Sequence, residues 1–116
     1  MTVETKVHQV PPGITVFSII GRLNMGEALI GVEAEIHKLI ADGARKLVMD
    51  LSGLTHMDSS AIGMLMGTSG VIEDAGGKLR LAGATGSVAK SFKIVHLDQV
   101  VAVHDDVDGA CQAFAD

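Results

Sequence analysis

The sequence has no tryptophan and no tyrosine, and its 116 residues include three phenylalanines. Aromatic platforms for stacking single-stranded nucleic acid are therefore missing. Positive charge is scarce as well. Nine Lys and Arg against 14 Asp and Glu leave a net charge of −5, the wrong sign for gripping a phosphate backbone. One cysteine, Cys111, excludes an internal disulfide and fits a reducing compartment. The most apolar stretch, Ala61 to Ile72, is interrupted by Thr68, Ser69 and glycines. It falls short of the roughly 20 residues a membrane-spanning helix needs. Met1 to Gln9 alternates polar and apolar residues and lacks the apolar core of a signal peptide. A cytoplasmic location is expected.

What is present is ample material for a core. Hydrophobic residues make up 47% of the chain and charged residues 20%, with 14 glycines. That composition excludes intrinsic disorder, and the length suits one domain over residues 1–116. No repeat, linker or low-complexity tract divides it.

Period and punctuation set the elements. Val3, Thr5, Val7 and Val10 read as a half-exposed strand, turned by Pro11-Pro12-Gly13 into a central strand from Ile14 to Ile20. From Gly26 to Asp42 the period becomes helical through Leu29, Val32, Ile36, Leu39 and Ile40, and Gly43 supplies the stop. Lys46 to Leu51 is a strand, with Ser52 to Thr55 expected as a loop. A helix then runs from Asp58 or Ser59 to about Asp74, ended by Gly76-Gly77. Lys78 to Leu81 alternates like a strand with one solvated face. A turn at Gly83 to Gly86 follows, with Ser87 expected to cap a short helix holding Val88, Phe92 and Val95. Val100 to Val103 is the last strand. Asp105 is expected to cap a final helix with Val107, Ala110, Cys111 and Phe114 on one face. The order β-β-α-β-α-β-α-β-α predicts an α/β domain: a mixed, mostly parallel sheet with an N-terminal hairpin and about four helices.

Enzyme chemistry finds little support. The histidines at 8, 37, 56, 96 and 104 sit on separate elements without metal-ligand spacing. Gly83 to Ser87 opens a helix and could hold an anion on its amides, but it lacks a P-loop lysine and reads more simply as a turn. Gly67-Thr68-Ser69-Gly70 does not have nucleophile-elbow spacing. Cys111, on the apolar face of the last helix, reads as a buried structural thiol. No nucleophile with a base is evident, and no cofactor or metal is implied.

The informative stretch runs from Leu47 through Asp50 to Asp58-Ser59-Ser60-Ala61, where a strand feeds a helix start. One of the three polar residues must serve as N-cap, which leaves spare hydroxyls at the positive end of a helix. The helix then carries Ile62, Met64, Leu65 and Met66 with Gly63, Gly67 and Gly70, each glycine costing about 1 kcal/mol against alanine. Such glycines admit two readings: close packing within the chain, taken first, or an exposed surface for a partner.

These residues resemble a family. Asp50, then Asp58-Ser59-Ser60 opening a glycine-containing apolar helix, is similar to the signature of the STAS domain and of the bacterial anti-sigma factor antagonists within it. Gly21-Arg22-Leu23-Asn24 and Gly76-Gly77-Lys78-Leu79 match that family's landmarks in position. Three positions depart: Asn24 replaces the usual Asp, Arg22 stands where an acid is common, and Ala61 where Gly is usual. The resemblance implies a non-enzymatic switch. Ser59 would be phosphorylated by a serine kinase that is also an anti-sigma factor. The unmodified form would bind that kinase and free the sigma factor, and a phosphatase would reverse the modification. Asn24, Asp58, Ser60, Ile62 and Gly63 would form the partner surface. The rival within the family is a constitutively binding subunit of a stressosome or of a lipid-transport ATPase. The rival outside it is a small enzyme or ligand-binding domain using the Gly83 to Ser87 turn.

Overall fold

Ile14 to Ile20 is the richest β-branched run, and the sheet grows from it on both sides. The computed structural model describes residues 3–115; Met1, Thr2 and Asp116, included in the 1–116 domain reading, lie outside the described residues. Strand β1 (Val3–Val10) pairs antiparallel with β2 (Ile14–Leu23), with Val10 opposite Ile14 and Val3 opposite Gly21. The rest of the sheet is parallel: β3 (Lys46–Met57), β4 (Lys78–Ala82) and β5 (Ala102–His104), in the spatial order β1-β2-β3-β4-β5.

A sequential strand order has a consequence for the helices. Each right-handed crossover moves the same way along the sheet, so all three crossover helices land on one face. These are α1 (Glu27–Ala41), α2 (Ser59–Asp74) and α3 (Gly86–Ile94). They bury Val32, Ile36 and Ile40, Leu65 and Ile72, and Val88 and Phe92 against Phe17, Ile19, Leu47, Met49, Leu79 and Leu81. Among the described residues, the opposite face is covered by α4 (Val107–Ala115) alone, where Ala110, Val107, Cys111 and Phe114 pack on Ile14, Val16, Val48 and Ala82.

Several expectations need correction. The segment Ser52 to Thr55 is not a loop but the second half of a 12-residue β3. The equally extended β2 supplies partners, pairing Ile20 with Gly53 and Gly21 with Leu54 across two register shifts. Gly53 belongs there because a Cβ would stand 2.8 Å from Ile20 Cγ1. Val100 to Val103 gives way to a 3-10 turn at Leu97–Gln99 and a shorter β5. Val95 lies beyond α3 and is exposed. Asp106, not Asp105, caps α4: its Oδ1 accepts from Gly109 N at 2.7 Å. The solvated face expected of β4 lies partly under α4, and Cys111 is half-buried.

Arg80 explains that last contact. Its guanidinium lies 4.7 Å from the centre of the Phe114 ring, and Nη1 donates to His104 Nε2 at 3.1 Å. Arginine has only donors, so the imidazole accepts at Nε2 and carries its proton on Nδ1. Desolvation first, and the Arg80 charge second, hold His104 below its ordinary value, while Asp105 and Asp106 pull the other way. The unfolded chain therefore takes up this proton first as pH falls. The stabilising contribution is complete above pH 6.5, the ordinary value, and is lost below it as pH falls through the folded pKa. Denaturation midpoints between about pH 7.5 and 5.5 should fall in the wild type and fall less in His104→Gln. Equal slopes would remove His104 from the account.

Candidate partner-binding and phosphorylation site

The C-terminal ends of β2, β3 and β4 meet at one edge of the sheet, where α/β domains ordinarily bind their ligands and partners. Arg22 pairs with His56 and Leu23 with Met57, so the Gly21 to Asn24 segment runs directly beside the approach to Asp58. Asp58 N donates to Leu23 O at 3.3 Å.

Asp58 is the N-cap of α2. Its Oδ1 accepts from Ala61 N at 2.9 Å, and its Oδ2 accepts from Met25 N at 2.8 Å. The Met25 bond first and the Ala61 bond second hold its carboxyl below the ordinary carboxylate value. Because Asp58 caps, neither serine is needed for that task. Ser59 is exposed as the first residue of α2; Ser60, the second, is half-buried.

The remaining rim is tied down by hydroxyls. Thr55 Oγ1 donates to Gly21 O at 3.1 Å. Ser87 does not cap α3; Thr85 holds that position, and Ser87 Oγ donates to Thr55 O at 3.2 Å instead. Asp50 is turned to local use, its Oδ1 accepting from Ser52 N at 3.0 Å and from Ser52 Oγ at 2.7 Å. A Cβ on Gly83 would stand 3.3 Å from that same oxygen. With a carboxylate against it and Ser87 engaged, the Gly83 to Ser87 turn is poorly suited to an anion.

Of the other expected contacts, Asn24 and Gly63 are exposed, whereas Ile62 is 7% exposed and belongs to the core. The helix glycines correct the packing reading. Added Cβ atoms at Gly63, Gly67 and Gly70 would meet nothing within 4 Å. They form an open strip on α2, with Met66 and Val71 exposed on the same helix. Two residues escaped the sequence reading: Met25, 75% exposed, and Ile30, 68% exposed. Ile30 lies off the Leu29, Val32, Ile36 stripe, which was the available signal. A cavity of about 480 Å³ opens between α3 and β5, lined by Phe92, Lys93, His96 and Val103 among others. Neither Asp58 nor Ser59 lines it.

A family model described as the STAS domain matches residues 5–110. The chain belongs to the STAS domain family. Solved structures share its fold. An anti-sigma factor antagonist from Mycobacterium paratuberculosis is 24% identical, with TM-score 0.88, over 99% of this chain and 96% of its own. The Bacillus cell fate determinant SpoIIAA, in its phosphorylated form, is 21% identical with TM-score 0.73, over 96% of this chain and 99% of its own. The murine anion transporter Slc26a9 is 21% identical with TM-score 0.76, over 99% of this chain and 22% of the transporter. The STAS fold thus occurs both as a small antagonist and as one part of a transporter. In this chain no described helix is long and apolar enough to cross a membrane.

Proposed function

We propose that this STAS domain is an anti-sigma factor antagonist, a non-catalytic cytoplasmic switch in stress signalling. Unmodified, it sequesters an anti-sigma factor serine kinase and so frees a sigma factor. Phosphorylation of Ser59 ends that binding, and a phosphatase restores it. The observation that carries this reading is the position of Ser59: exposed, first in α2, released from capping by Asp58, and flanked by the Asn24-Met25 turn and the open glycine strip. A phosphate there brings about −1.5 to −2 charge to the positive end of a helix, which can hold it without unfolding. The same charge at the centre of a docking surface repels the partner. The phosphorylated SpoIIAA structure supports the reading by its likeness in fold.

Incubation with the anti-sigma factor serine kinases of its own cell and Mg-ATP, followed by peptide mass spectrometry, should place one phosphate on Ser59. A phosphate on Thr55 or Ser60 would overturn the assignment. The likeness in fold to one part of a transporter supports a second reading, a constitutive subunit of a larger assembly such as a stressosome or a lipid-transport ATPase. Under that reading Ser59 only opens the helix, and the kinases leave it unmodified.

A further inference from the structure

The carboxylate of Asp58 does two jobs in two directions. Oδ1 turns toward Ala61 N and closes the start of α2; Oδ2 turns toward Met25 N, on the turn that joins β2 to α1. That turn has little other support. Its helix, α1, begins with Gly26 in the cap position and no side-chain capping bond. A carboxylate from the neighbouring element ties down the residue just before that cap. The turn also carries Met25, 75% exposed, and leads into the first turn of α1, where Ile30 is exposed and its amide bonds back to Gly26 O at 3.2 Å.

We propose that Asp58 is a positioning residue that couples Ser59 to this turn: its carboxylate holds the Met25 amide and so sets Met25 in place for the partner, and a phosphate on Ser59 breaks that hold. The inference rests on the phosphorylation-gated reading above and gives it a physical route. A phosphoserine next to Asp58 places a dianion with three acceptor oxygens beside an existing carboxylate. The phosphate can take over the Ala61 amide, since any acceptor at the helix start satisfies that donor and α2 persists. The repelled carboxylate then leaves Met25 N, and the turn loses its anchor. The switch works by withdrawing an apolar contact as well as by adding charge.

Amide exchange of Met25 and Ala61, followed by NMR in the isolated protein, tests the coupling without any partner. Asp58→Asn keeps an oxygen for the cap but turns an NH₂ toward Met25 N. Met25 exchange should speed up about tenfold while Ala61 stays protected. Asp58→Ser, which retains a capping oxygen but is too short to reach Met25, should behave alike if the Asn variant folds poorly. Enzymatic phosphorylation, or Ser59→Asp where no kinase acts, should produce the same selective loss at Met25. With the kinase as partner, Asp58→Asn and Met25→Ala should each weaken binding about tenfold, and the double variant little further. Unchanged Met25 exchange in the phosphorylated or Ser59→Asp protein would overturn the coupling. So would full additivity of Asp58→Asn and Met25→Ala. Absence of any kinase that modifies Ser59 would instead overturn the functional reading, with the exchange result on Ser59→Asp still standing.

Discussion

Ser59→Asp is expected to melt within about 3 °C of the wild type and to bind the anti-sigma factor kinase roughly a hundredfold more weakly. The first half follows from position. Ser59 is exposed, α2 carries no acidic residue in its first turn, and a carboxylate there gains about 0.3–1 kcal/mol from the helix N-terminus. Repulsion from Asp58 offsets part of that gain. The second half follows from desolvation. An unpaired charge pressed into an interface costs several kcal/mol, and about 2.7 kcal/mol is already a hundredfold. Thermal melts and titration calorimetry read the two halves separately. A melting point lowered by ten degrees or so would make Ser59 a structural residue.

The largest effect on stability is expected at Gly77. An alanine Cβ there would run into Arg45 O and lie 2.8 Å from Arg45 Cα, both backbone atoms. Arg45 cannot retreat easily. Its carbonyl accepts from Lys78 N at 2.8 Å, starting the β3–β4 ladder, and its guanidinium bonds Ile40 O and Ala44 O, each at 2.8 Å. Gly77→Ala should therefore cost about 3 kcal/mol, or roughly 10–15 °C in melting temperature. Gly67→Ala is the control. Nothing lies within 4 Å of its Cβ, so it should gain up to about 1 kcal/mol from helix propensity. Equal stability of Gly77→Ala and wild type would mean the two segments are not so closely apposed.

The contrast between Gly76 and Gly77 shows where sequence reading stops. Both sit at the expected end of α2. Gly76 fills the stop-signal role, with φ +92°, and its amide bonds Glu73 O at 2.9 Å. Gly77 serves a close approach to Arg45, just before β3, which no local pattern encodes. The element order was legible because hydrophobic period changes from two to 3.6 at each boundary. The far half of β3 was not, since Ser52, Gly53 and Thr55 are turn residues, overridden by pairing to a long β2. Caps were off by one or two residues at Thr85 and Asp106, where several small polar residues compete. At the site, the Gly21 to Asn24 segment lies beside Asp58 because parallel strand ends share an edge. The Met25 amide bond was not legible, because a backbone donor leaves no trace in residue type. The helix glycines were misjudged for a related reason: sequence counts their cost without showing which side of α2 they face.

Calorimetric titration of the anti-sigma factor kinase with unmodified and Ser59-phosphorylated protein, side by side, tests the central claim most directly. The account predicts a saturable isotherm for the unmodified protein and an affinity at least about a hundredfold weaker for the phosphorylated one, with both forms melting alike. Equal affinity of the two forms would contradict it and assign the domain to a constitutive assembly.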